Sequence, residues 1–215
     1  MSSRESSGRR YTSTLRAQQA AQTRARVLDA ARELFSERGF AATTMPEIAR
    51  RAGVSTETVQ SHGPKIALLK AALDAFSFGG GEDTDARETD RGRTLLAVQS
   101  APEAVRVAAE VLADINAATR GLWLSFSEAA RSDAEVAAQF RAYIAGVRAQ
   151  NAVLVDEWAQ RGFLRTDVPR EELVDRAALI GSVELYDRAV RLEGMDRDAY
   201  VRTVAGLFAA ALTAG

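Results

Sequence analysis

The sequence predicts an all-α protein: an N-terminal three-helix helix-turn-helix unit followed by a larger C-terminal helical domain, about nine helices in all. Three observations carry this expectation. Apolar residues recur at the three-to-four spacing of one buried helix face, and no segment alternates as a half-buried strand would. Glycines, prolines and capping residues stand where these periodic segments start and stop. The 47% hydrophobic content over 215 residues can fill a core, and 27% charged residues can cover a surface.

The first element begins after a polar stretch. Residues 1–22 are rich in Ser, Arg, Thr and Gln and read as a disordered basic arm, whose Arg9, Arg10 and Arg16 could enter a minor groove or remain solvated. From Thr23 the period is helical, with Val27, Leu28, Ala31, Leu34 and Phe35 on one face and Gly39 as the stop. Thr44 and Glu47 form a capping box for a second helix to about Ala52, in which Pro46 is tolerated in the first turn. Gly53 supplies a tight turn, Val54 plugs the crossing, and Ser55 caps a short third helix to about His62. Gly63-Pro64 breaks it, and a fourth helix starts near Lys65.

Gly79-Gly80-Gly81 and the charged run from Glu82 to Arg93 read as a loop. Five further helices are expected over about 102–120, 122–131, 133–161, 169–192 and 196–212, with Gly162 and Gly194 as stops. The domain division is thus an arm at 1–22, a helix-turn-helix domain at 23–70 and a helical ligand-binding and dimerisation domain at 71–215.

Composition excludes several classes of function. There is no cysteine and one histidine, His62, so disulfides, thiolate metal centres and multi-histidine sites within a chain are out; no metal or cofactor is expected. No glycine-rich phosphate loop or Ser/His/Asp set is visible, so no enzyme is expected. The apolar run from Leu207 to Leu212 falls far short of the ~20 residues of a membrane span, and the polar N-terminus lacks a signal peptide's apolar stretch. A cytoplasmic protein with no membrane partner is the expectation. The scarcity of lysine against arginine and alanine suggests a GC-rich bacterial genome. Net charge is −1, yet residues 1–70 carry 12 Lys+Arg against 6 Asp+Glu, and residues 71–215 carry 16 against 23. A basic head on an acidic body points the head toward a polyanion.

The third helix presents Thr56, Glu57, Gln60 and Ser61 outward, short or hydrogen-bonding groups of the kind that read base edges in a major groove. The string Ala30-Ala31-Arg32-Glu33-Leu34-Phe35, Gly39-Phe40, Thr43-Thr44, Ile48-Ala49, Ala52-Gly53-Val54-Ser55, Thr58-Val59 and Lys65 to Leu69 resembles the TetR (tetracycline repressor) family of transcriptional regulators. The chain departs from that pattern at Gln60, where a tyrosine is usual, and at Gly63, where an aromatic is usual; the stretch from His62 to Leu68 is also one residue short.

The resemblance implies a DNA-contacting set of Thr44, Ser55, Thr56, Glu57, Thr58, Gln60, Ser61, His62 and Lys65, with Thr44, Thr58 and Lys65 on phosphates and Thr56, Glu57 and Gln60 on bases. His62 is equally readable as a helix-terminal residue with no role. The resemblance further implies a ligand-responsive repressor that binds a palindromic double-stranded DNA operator as a homodimer and is released by a small apolar or aromatic effector.

Small residues on the last two helices suit close approach of a second copy, or equally close packing within one chain. The expected dimer surface is Ala178, Gly181, Leu185, Ala205, Phe208, Ala209 and Leu212. For the effector, Trp123, Phe126, Tyr143 and Trp158 could line an apolar cavity together with the amides of Asn116 and Asn151. Each could instead be an ordinary core residue. Glu128 and Glu184 are the acids nearest these stripes.

Overall fold

A computed structural model describes residues 5–77 and 85–214. Ten α-helices follow in order: α1 (Glu5–Ala42), α2 (Met45–Ala52), α3 (Thr56–Gln60), α4 (Lys65–Phe76), α5 (Asp90–Leu96), α6 (Ala101–Ser132), α7 (Ala134–Gln160), α8 (Arg170–Ile180), α9 (Val183–Tyr186) and α10 (Arg197–Leu212). A 3₁₀ turn at Ala86–Glu88 precedes α5, and a π-type turn at Asp187–Leu192 extends α9. No strand forms among the described residues; the one β-type pairing is an isolated bridge between Leu164 and Thr213.

Gly39 breaks α1, as its sequence position suggested. Its φ of 79° and ψ of 171° lie outside helical space, and the chain resumes one short turn to Ala42. The arm differs from expectation. Residues 5–22 continue α1 toward the N-terminus, and positions 15–22 are almost wholly exposed. The reason is local: Leu15-Arg16-Ala17-Gln18-Gln19-Ala20-Ala21-Gln22 is made of strong helix formers with no breaker. Nothing there is buried, so the periodicity that marks a packed helix is missing.

Two apolar cores result. One gathers Val27, Leu34 and Phe35 of α1, Ile48 of α2, Val59 of α3 and Leu68 of α4, and is closed by Leu122 and Phe126 of α6. The other packs α6, α7, α8 and α10 around Val105, Ala109, Trp158, Val174, Tyr200 and Phe208. Helix α6 belongs to both. Helix α4 runs through the boundary expected at 70/71, and its Ala72 and Leu73 belong to the first core.

Three helix limits differ from the sequence reading. Gly121 does not end a helix; α6 runs unbroken for 32 residues through it. The missing side chain serves packing instead, because a Cβ there would run into Ser36 of α1 and lie 2.8 Å from its Cα. The single helix expected over 169–192 divides at Gly181, and Ser182 caps α9 by accepting from the Leu185 amide at 3.3 Å. Part of the charged run expected as loop forms α5, capped by Thr89; the Gly79–Gly81 run lies outside the described residues.

Candidate nucleic-acid interface and small-molecule cavity

Helices α2 and α3 cross at Gly53, which takes the left-handed conformation with φ 66° and ψ 40° and so permits the sharp turn. The Val54 amide donates to the Ala49 carbonyl at 3.1 Å and locks the corner. Ile48 and Val59 are fully buried beneath it, as the pattern required.

The capping box at Thr44 is complete. The Glu47 amide donates to the Thr44 hydroxyl at 3.4 Å, and the Thr44 amide and hydroxyl donate to Glu47 Oε2 at 3.0 and 2.8 Å. These bonds hold the Glu47 carboxyl below the usual range, the hydroxyl foremost. The Thr44 hydroxyl, expected on a phosphate, is therefore engaged within its own helix cap. Glu47 also pairs with Arg38 at 2.8 Å, and Arg51 pairs with Glu33 at 2.5 Å and Glu37 at 3.5 Å, so α1 and α2 are clamped by exposed ion pairs.

On α3, Ser55 accepts from the Thr58 amide at 3.2 Å, and its hydroxyl meets the Thr58 hydroxyl at 3.1 Å. Glu57, Gln60 and Ser61 are exposed and Thr56 is half-buried. These four share one side of the short helix, as expected. The Glu57 carboxyl is held below the usual range, first by its own backbone amide and then by Ser55, so it stays ionised and acts as an acceptor only. The Ser61 hydroxyl donates back to the Thr58 carbonyl at 2.8 Å. His62 is half-buried, and its Nε2 finds no hydrogen-bond partner among the described residues.

Lys65 sits differently from expectation. Its Nζ donates to the carbonyls of Phe40 at 2.7 Å and Thr43 at 2.9 Å, and lies 4.3 Å from the Phe40 ring centroid. Two of its three donors thus close the end of α1 rather than face outward. Burial pulls its pKa down, while the carbonyls and ring favour the charged form.

A second site lies among α4, α6, α7 and the α8–α9 junction. It is a cavity of about 400 Å³ whose lining includes Leu73, Ile115, Trp123, Tyr143, Val147 and Leu179. Four of the six residues expected at a ligand line it: Asn116, Trp123, Tyr143 and Asn151. Phe126 does not. It is fully buried and packs edge-on against Phe140, with centroids 4.9 Å apart. Trp158 lies in the body core beside a separate void of about 40 Å³, and its Nε1 donates to the Leu95 carbonyl at 3.1 Å. Helix α7 carries its two ends to different cores, Val136 to the first and Trp158 to the second.

The amides also have structural partners. Asn116 donates to the Gly181 carbonyl at 3.1 Å, bracing the α8–α9 junction, and Asn151 donates to the Val147 carbonyl at 3.1 Å. Trp123 Nε1 donates to Glu184 Oε1 at 2.9 Å. Of the two nearby acids, Glu184 lines the cavity, whereas Glu128 approaches Gly39 in the head. Ser77, Thr119, Arg148 and Gln150 line the cavity unforeseen; polar residues beside an apolar stripe look like ordinary solvated positions until the helices are assembled. Burial foremost, with the Asp74 charge adding to it, pushes the Tyr143 phenol well above its ordinary value; a Ser77 hydrogen bond opposes the shift.

The expected dimer surface is only partly outward. Phe208 and Leu212 are 3% and 1% exposed and belong to the body core. Ala178 and Gly181 line the cavity, and Leu185, Ala205 and Ala209 are half-buried. The exposed stripe of α10 is instead Thr203, Gly206, Leu207 and Ala210, and Leu179 of α8 is 73% exposed. Small residues line both sides of α10, so sequence alone could not tell which side faces in. The large residues decide it. No helix among the described residues is long and apolar enough to cross a membrane.

The family model for bacterial regulatory proteins of the tetR family matches residues 27–62, the span from the α1 core through α3. No curated protein matches the chain. Among solved structures, a Rhodococcus sp. protein described as a TetR-family transcriptional regulator superposes with a TM-score of 0.69 at 15% identity, over 90% of this chain and 100% of its own. A complex of SmeT with triclosan gives 0.62 at 21% identity, over 89% and 92%. A Saccharomonospora viridis protein described as a transcriptional regulator, in complex with choline, gives 0.66 at 16% identity, over 91% and 100%. At these identities the likeness establishes the shared fold.

Proposed function

Because the chain belongs, through its N-terminal domain, to the tetR family of bacterial regulatory proteins, we propose that it is a ligand-responsive transcriptional repressor: a homodimer that reads a palindromic operator with α3 and releases it when a small molecule fills the cavity. The observation that carries the reading is the outward side of α3. Glu57 and Gln60 stand exposed on a five-residue helix fixed at both ends, with Ser61 exposed at its C-cap, over a buried Val59. A helix so short and polar contributes little to a core, and its geometry suits entry into a major groove. Gln60 can pair with both major-groove groups of an adenine, accepting from N6 and donating to N7, and the ionised Glu57 can accept from a cytosine amino group.

Dimerisation follows from arithmetic: one short recognition helix makes too few contacts for an operator, and a palindrome read twice doubles them. The exposed stripe of Thr203, Gly206, Leu207 and Ala210 on α10 supports a self-complementary interface. The cavity, and the neighbours whose structures hold triclosan and choline, support a small-molecule effector.

The test is a titration of the dimer against a selected operator duplex and against a scrambled duplex, at matched salt. The reading requires at least a thousandfold preference, the low end of specific regulators. Equal affinity for both duplexes refutes it.

A further inference from the structure

The cavity is walled mostly by carbon, and among the described residues only two that line it carry charge, Arg148 and Glu184. Their situations are unequal. Arg148 donates through Nε to Asp175 and through Nη2 to Glu171, both at 2.9 Å, so its one positive charge already faces two carboxylates. Glu184 on α9, exposed at the edge of the cavity, accepts from the neutral indole N–H of Trp123, and no ion pair reaches it among the described residues. Among the described residues, Glu184 is therefore the lining charge with no ion pair.

The aromatic wall has the matching polarity. A ring presents a negative face, and a cation held against it is attracted most strongly where water is excluded. Donating the Trp123 N–H to a carboxylate pushes electron density into the indole and deepens that attraction. Tyr143 stands 6.2 Å from Trp123 between centroids, tilted by 60°, so two rings border the same space. Leu73, Ile115, Leu112 and Val147 offer an apolar chamber beside them. A volume of about 400 Å³ is that of a small-molecule site.

Resting on the effector reading above, we propose that the cavity is selective for a lipophilic organic cation, with Glu184 as its counter-charge and Trp123 and Tyr143 as its aromatic walls. A purely apolar guest would fill the chamber without engaging the carboxylate, and an anion would be repelled. The effector class is therefore narrower than the apolar or aromatic molecule the sequence suggested.

The experiment titrates the full-length protein with three probes of related shape: tetraphenylphosphonium, neutral triphenylphosphine oxide and tetraphenylborate. Calorimetry and tryptophan fluorescence read the binding to the natural chain and to Glu184→Gln. Glutamine keeps an oxygen to accept from Trp123 Nε1 and removes only the charge. The phosphonium should bind about tenfold or more tighter than the neutral oxide, and the borate weakest. Glu184→Gln should erase most of that preference while leaving the oxide unchanged. Equal binding of oxide and phosphonium, or a phosphonium affinity untouched by Glu184→Gln, overturns the cation assignment and leaves a neutral-ligand cavity standing. If no probe binds, the cavity reading falls with it.

Discussion

The hydroxyl of Ser125 donates to the main-chain carbonyl of Phe35 at 2.6 Å, both buried, and ties α6 to α1. One turn earlier on α6, Gly121 lies against Ser36 with no room for a methyl group. Thr119 and Trp123 of the same helix line the cavity. Helix α4 makes the parallel connection. Its Lys65 closes the α1 end beside α2, and its Leu73 and Ser77 line the cavity. A guest that shifted α4 or α6 would thus act on the helix-turn-helix through two rigid elements rather than a loop. It can do so only by its different affinity for the two arrangements.

Gly121→Ala should reveal how tight the α1–α6 seam is. Alanine favours a helix over glycine by about 1 kcal/mol, but here its methyl group would meet Ser36, including backbone. Overpacking of this kind costs about 1–3 kcal/mol, so a net loss is expected in denaturant unfolding. Adding Ser36→Gly should recover part of it. A stabilised Gly121→Ala would mean the helices do not meet as described.

Lys65→Met separates a structural role from a phosphate contact. Losing two hydrogen bonds from a charged group should destabilise the protein by about 1.5–3 kcal/mol. The salt slope of DNA binding should stay as it was, since the ammonium faces the Phe40 and Thr43 carbonyls. A slope reduced by about one phosphate contact would return Lys65 to the DNA surface.

For the base-reading face, Gln60→Ala should relax preference at one operator position at a cost of about 1–3 kcal/mol. Glu57→Gln should act in two directions. Removing an exposed carboxylate, ionised throughout the neutral range, should tighten binding to every duplex. It should also weaken the preference for cytosine at one position. Scanning each operator position with both variants checks this; uniform weakening by Gln60→Ala would assign that residue to the backbone instead.

Much of this was legible in the residues. The helix-turn-helix could be read because its signals are local: the Thr44–Glu47 box, the Gly53 turn and the Ser55 cap each lie within four residues. The cavity could be read only in part. Asn116, Trp123, Tyr143 and Asn151 sit on the correct faces, but Trp158 shares their stripe on α7 and ends in another core, because a long helix spans two packing environments. The dimer face of α10 was legible only in part for a related reason. Ala205, Gly206, Ala209 and Ala210 give no side a preference, and the burial of Phe208 and Leu212 against α6 and α8 is a tertiary fact. The contact of Lys65 with Phe40 was not legible because nothing in the sequence brings it to a residue 25 positions earlier.

The corrected α10 surface carries its own expectation. Leu207→Arg, on the exposed stripe, should convert a dimer into a folded 23.1 kDa monomer in dilute solution. Phe208→Ala should instead lower stability by about 3–5 kcal/mol without first dissociating the dimer. Mass measurement with unfolding curves distinguishes the two; a natural chain that is already monomeric removes the interface.

The most direct test of the account is selection of bound duplexes from a random library by the full-length protein, at a fixed salt near 0.15 M. A dimeric repressor reading bases with α3 should enrich a single palindrome with two half-sites at helical-turn spacing, whose enrichment at one position per half-site disappears with Gln60→Ala. Recovery of no preferred sequence, with binding that depends on salt alone, would contradict it.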